Sequence, residues 1–414
     1  LLTLEERTLL SMIVVNNPTD TPAVGKIDLR QAIDQANTTG GTETITFDKR
    51  VFNTPQTINL TVGDLELSDT TGTETITGPA RGVTVNAGGL SGVLQVDELV
   101  SASLSGLTIR GGNSSYYGGG LADYGAASLT NCTISGNSAY GGGGLFNGYG
   151  STLTLTNCTI SGNFATGDVA DGGGGLFSKG DSATLTNCSI SGNSAELGGG
   201  LLITGSGNTL ATLTNCKIGG NSALDNGGGV AGYVTTTLTN CTVSGNSAVK
   251  NGGGLFVVGP WTVTNSTFTH NHASSGGGLF NNGGQMAVTD STFSSNAARS
   301  GGGLDTNLGT TALTNCTLSD NSAVDRGGGV ATENFGTSTL TNCTVRGNVA
   351  GSSGGGLSNV DGCTTTLNAT NVEGNSAVAG GGVFSQGTLD VAFSNIINNQ
   401  AMGAPAAMAS AAES

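Results

Sequence analysis

Between residues 118 and 400 the apolar positions follow a short pattern that keeps returning. In Leu238-Thr239-Asn240-Cys241-Thr242-Val243-Ser244-Gly245-Asn246, the apolar Leu238, Cys241 and Val243 alternate with threonines. That is the period of two that puts apolar side chains on one face of a strand. The alternation slips by one residue at Asn240. Asparagine tolerates the left-handed backbone region, so the slip predicts a corner between two strands. Gly245-Asn246 closes a second corner, and Gly252-Gly253-Gly254 leads into a third strand that opens at Leu255. Three short strands and three corners make one turn of a parallel β-helix.

The asparagine that closes the pattern recurs at 137, 163, 193, 221, 246, 271, 296, 321, 348, 375 and 399, a mean step of roughly 26 residues. A repeat this short cannot bury its own apolar face, so each copy must stack on its neighbours as a solenoid. The fold class is therefore all-β, a single-stranded parallel β-helix with equivalent residues roughly 4.8 Å apart along its axis. Leu129, Leu155, Leu185, Leu213 and Leu238 form one expected inward ladder, and Ile134, Ile160, Ile190, Ile218 and Val243 another. Asn131, Asn157, Asn187, Asn215 and Asn240 are expected to stack with their amides bonded coil to coil, as buried polar groups must be. Seven of the eight cysteines share one position, Cys132, Cys158, Cys188, Cys216, Cys241, Cys316 and Cys343. Other coils place Leu107, Ser266 or Thr370 there, so the slot wants a compact inward side chain. Bridges between coils or metal ligation are the alternatives.

The two ends differ from the middle. Asp28–Asn37 carries capping-box spacing at Asp28 and Gln31, an apolar face of Leu29, Ile33 and Ala36, and a Gly40-Gly41 stop. These predict a short helix that caps the first coil, where an open coil would leave an unpaired edge. The chain divides into an arm (1–26), a cap with irregular first coils (27–117), regular repeats (118–400) and a tail (401–414). Residues 1–15 are more apolar than a free arm should be. Either they fold on the chain's own first coils or they join another molecule, with Leu1, Leu2, Leu4, Leu9 and Leu10 as the self-association residues.

Composition narrows the functional classes. A net charge of −15 offers no basic stripe for nucleic acid. No stretch is long and apolar enough to span a membrane, and the start without methionine suits a trimmed, exported chain. Asp305, Asp320, Asp325 with Arg326, Glu333 and Asp361 are scattered among corners, and Trp261 is the lone tryptophan beside few tyrosines. No catalytic residue and no cofactor site is therefore expected. Asp168 and Asp171, in the longest inserted loop, are the weak candidates for a metal, namely calcium. His270-Asn271-His272 spells a nuclease-like tripeptide, but Asn271 occupies the ordinary corner position and no third ligand is near in sequence.

The repeat pair Gly276–Leu279 with Phe293-Ser294-Ser295-Asn296 resembles the GGAI/L/V and FxxN repeats of polymorphic outer membrane proteins. Residues Ile27–Phe47 resemble the CSLREAI-like entry segment of bacterial β-helix surface proteins, with Asp28 and Gln31 departing from it. Leu4–Ser11 is similar to an LExRxLL motif near the start of large exported bacterial proteins. The resemblance implies right-handed coiling, export, and an adhesive or structural role at the cell surface. The expected function is a non-enzymatic extracellular subunit that associates head to tail into a fibre or sheath. The alternative is an adhesin that binds glycans through its Thr/Ser/Asn face. A β-helix polysaccharide lyase or hydrolase is the third reading.

Overall fold

The computed structural model describes residues 11–168, 171–205 and 209–403. It is an all-β, right-handed parallel β-helix with one short helix near its start. Three parallel sheets of 15, 14 and 13 strands run along the axis, joined by two short sheets of 6 and 5 strands at a fourth corner. One coil supplies Thr235–Thr239 to the first sheet, Thr242–Ser244 to the second and Leu255–Val257 to the third. Thirteen strands at the usual spacing of parallel chains make a rod about 60 Å long.

The inward ladders are in register. Leu129 pairs with Leu155, Leu155 with Leu185, and Ile134 with Ile160, all at or near zero exposure. The slip in the alternation is a left-handed corner: Asn131, Asn157, Asn187, Asn215 and Asn240 have φ of 53–55°. Their amides do bond coil to coil, as in Asn215 Nδ2 to Asn187 Oδ1 at 3.0 Å. These five side chains are exposed, however, which corrects the expectation that burial drives the ladder. The buried ladder is the other one. Asn246 Nδ2 donates to Asn271 Oδ1 at 3.0 Å and to Ile218 O at 2.9 Å, while Asn271 Oδ1 also accepts from the Asn246 backbone at 3.0 Å. The same three bonds recur around Asn163, Asn193, Asn221, Asn296 and Asn321, each 0–1% exposed. An inward corner is where the polar backbone would otherwise go unpaired, and the amide satisfies it.

All eight cysteines are buried and unbridged. The ladder thiols bond backbone carbonyls, as Cys158 does to Leu129 O at 3.4 Å. His270 takes the left-handed corner, with φ of 56°, while Asn271 belongs to the buried ladder.

The predicted helix spans Leu29–Thr39, with Asp28 and Gln31 closing a capping box and Leu29, Ala32, Ile33 and Ala36 buried over the core. Asn37 Nδ2 donates to Glu66 O and its Oδ1 accepts from Ser68 N, so the helix also satisfies the first strand edge of the third sheet. Ser11–Val15 forms the first strand of the first sheet and pairs in parallel with Glu43–Phe47. This part of the apolar arm folds on the chain's own first coil, with Ile13 and Val15 buried. The self-association residues Leu1, Leu2, Leu4, Leu9 and Leu10 lie outside the described residues.

Candidate functional site

The third sheet differs from the others in that its outward side chains are also covered from Ala122 to Ser358. Its middle positions stack in register as Glu66, Gln95, Ala122, Phe146, Phe177, Leu202, Ala231, Phe256, Phe280, Asp305, Ala331 and Ser358. From Phe146 to Phe280 this row forms an apolar cluster separate from the interior, joined from the flanks by Tyr117, Tyr124, Leu197 and Val258. Tyr117 and Leu197 each precede a triple glycine, which carries the chain back alongside the row.

At the aromatic end, Tyr117 stacks on Phe146 with centroids 4.4 Å apart and planes 15° apart. Tyr117 pairs in register with Gly141, and a Cβ there would lie 2.9 Å from the Tyr117 ring, so glycine makes the room. Tyr140 and Tyr124 meet Tyr117 and Phe146 edge-on at 6.5 Å and 5.7 Å. Lys179 Nζ lies 4.5 Å from the Phe177 centroid, 5.3 Å from Tyr117 and 5.7 Å from Tyr149. Asp171 Oδ1 accepts from both Lys179 Nζ and Tyr117 Oη at 2.9 Å. Burial pushes the Tyr117 hydroxyl up to about 12, and the Asp171 carboxylate it bonds adds to this, so it remains a donor. Tyr149 stands 71% exposed at the edge of the patch. Beside it an open depression is lined by Ser68, Thr70, Gln95, Asp97, Glu98 and Tyr124. The Glu66 carboxyl there is raised by its hydrogen bond to Asp97, then by the charge of Asp97 and by burial.

Four of the six tyrosines thus share one patch with a lysine and several carboxylates. Few tyrosines counted against a groove of carboxylates and aromatics, yet these four are concentrated in one place. One signal was legible: Tyr117 and Tyr140 are 23 positions apart, close to one coil.

At the other end of the row, Asp305 follows Phe280 in register and is fully buried. Neither of its carboxyl oxygens has a hydrogen-bond partner, and Ser358 Oγ is likewise unpaired. Arg326 Nε lies 3.7 Å from Glu333 Oε1. Burial raises the Asp305 carboxyl well above its usual range, the charge of Glu333 adds to this, and Arg326 opposes it. The expectation of scattered charges is therefore corrected. Residues more than 20 positions apart come together because coils stack, and the coil that stacks on Asp305 carries both Arg326 and Glu333.

Of the calcium candidates, Asp171 has its carboxylate engaged by Lys179 and Tyr117, and Asp168 O accepts from Asp171 N at 3.1 Å. Among the described residues no group of three or more His, Cys, Asp or Glu side chains is placed to hold a metal ion. No helix among them is long and apolar enough to cross a membrane.

Two solved structures are similar over most of this chain. The Dettilon tailspike protein is 14% identical, with 91% of this chain and 68% of that one covered at a TM-score of 0.45. The A-module of the Azotobacter vinelandii mannuronan C-5 epimerase AlgE6 is 12% identical, with 90% and 96% covered at a TM-score of 0.33. At such identities the likeness is one of fold. The expectation of a non-enzymatic chain is withdrawn, since it leaned on scattered charges and scarce aromatics, and the stacked coils bring both together. No curated protein matches the sequence. The family model of the right-handed β-helix region matches residues 91–260 and 199–411, and the chain belongs to that family.

Proposed function

We propose that this β-helix is a glycan-binding protein and that the aromatic end of its third face is the binding surface. The observation that carries the reading is the gathering of Tyr117, Tyr140, Tyr149 and Lys179 around Asp171, beside a depression lined by hydroxyls and carboxylates. Aromatic rings offer a flat apolar surface to the C–H faces of a sugar, and a few placed polar groups fix its orientation. Carboxylates accept hydrogen bonds from sugar hydroxyls, and the Lys179 ammonium, with one N–H held by Asp171, has others to donate. The patch favours the adhesin reading over a purely self-associating subunit, and it moves the contact from the threonine rows to the third face.

A glycan array followed by calorimetry on the best ligand tests this. Tyr149→Ala should weaken binding about tenfold, or ~1.4 kcal/mol, without changing the thermal midpoint, because Tyr149 is exposed. Unchanged affinity in that variant, or an array with no selective ligand, would sink the proposal.

A further inference from the structure

We infer that Asp305 and Glu333 form a weak binding site for a small hard cation of the calcium class, with Arg326 as the counter-charge of Glu333 when no cation is bound. Asp305 occupies a position where the preceding two coils carry Phe256 and Phe280. A fully buried carboxyl requires a donor, a proton or a cation, and neither oxygen of Asp305 has a donor within reach. The coil stacked on Asp305 carries Ala331, a methyl where the coils of Phe256 and Phe280 place a ring. Beyond it, Ser358 presents a second unpaired buried oxygen to the same row.

Glu333 is held loosely. Arg326 and Glu333 come from the coil of Ala331, and their 3.7 Å contact is too long for a hydrogen bond. The Arg326 side chain is 43% exposed and that of Glu333 21%, so the arginine has solvent to turn into, which frees the Glu333 carboxylate for a cation. The bound cation replaces Arg326 as the counter-charge of Glu333 and supplies the partner that Asp305 lacks. Calcium takes six to eight oxygens, and two carboxylates provide at most about four, so water and backbone complete the shell. An affinity of about 10⁻⁴–10⁻³ M follows from so few charged ligands.

The test uses the full chain freed of metal with a chelator. Thermal midpoint and calorimetry are read with calcium chloride to about 10 mM, against sodium chloride of equal ionic strength. The wild type should gain several degrees with calcium beyond the sodium control. Asp305→Asn should melt higher than wild type without calcium and lose the response. Glu333→Gln should weaken binding about tenfold. The exposed Asp361→Asn should respond as wild type does. Two results overturn the site. In one, the wild type shows no gain over sodium and Asp305→Asn still melts higher, which makes Asp305 a neutral buried acid. In the other, Asp305→Asn or Glu333→Gln keeps the full response, which places the cation elsewhere.

Discussion

The interior ladders and the outward row of the third sheet are built from the same coils and obey different rules. Inside, each position repeats one class of residue, as in Leu129, Leu155, Leu185 and Leu213, because its neighbours above and below are copies of itself. The outward row is also buried from Ala122 on, yet it runs through Phe177 and Ala231 to Asp305 and Ser358. Its side chains are covered by flanking residues such as Tyr117 and Leu197, which vary with each loop. A covered row relieved of self-matching can hold rings in one stretch and charges in another. Both candidate sites of this chain lie on it.

The comparison is broken most directly from the inside. Phe268 stacks on Phe293 in the second sheet with centroids 4.6 Å apart and no exposure. Phe268→Ala should cost about 3–5 kcal/mol in denaturant unfolding. A loss under ~1 kcal/mol would mean that the inward ladders are not the stabilising element.

The two asparagine ladders give the next largest contrast. Asn246→Ala removes four buried bonds and strands the Asn221 donors, and should cost about 1–3 kcal/mol. Asn187→Ala loses exposed bonds and places alanine at φ of 55°, for about 1 kcal/mol. Equal losses would remove the distinction between an inward and an outward corner.

The last contrast is a pH dependence set inside the first coils. Glu43 and Glu74 are register partners in the first sheet, both buried with Asp69 beside them. Burial raises Glu74 to about 7, with the charges of Asp69 and Glu43 adding to it. Burial raises Asp123 to about 7 as well, against the N–H groups of Gly125 and Ala127 that lower it. Unfolded carboxyls ionise near pH 4, so between about pH 4 and 7 the folded chain keeps protons that the unfolded chain releases. This stabilisation is complete below pH 4 and is lost as the pH rises through 7. The thermal midpoint should fall by a few degrees from pH 4.5 to pH 8, and Glu74→Gln should flatten the fall. A Glu74→Gln profile parallel to wild type would show that this carboxyl does not titrate in the folded chain.

The coil, its corners and the helix cap were legible in the residues, because each depends on neighbours a few positions away. Alternation marks the strands, Asn240 marks the left-handed corner, and Asp28 with Gln31 marks the helix start. Which asparagine ladder is buried was not legible, since Asn131 and Asn137 are the same residue at two corners of opposite facing. The sites were hidden for a related reason. Tyr117 finds Phe146 and Lys179, and Asp305 finds Arg326 and Glu333, only when coils lie in register. The repeat by itself determined the solenoid, because a face too small to bury alone must stack. The tertiary structure decided which unlike residues that stacking brings together, because contacts along the axis join positions a whole coil apart, where local pattern carries no information.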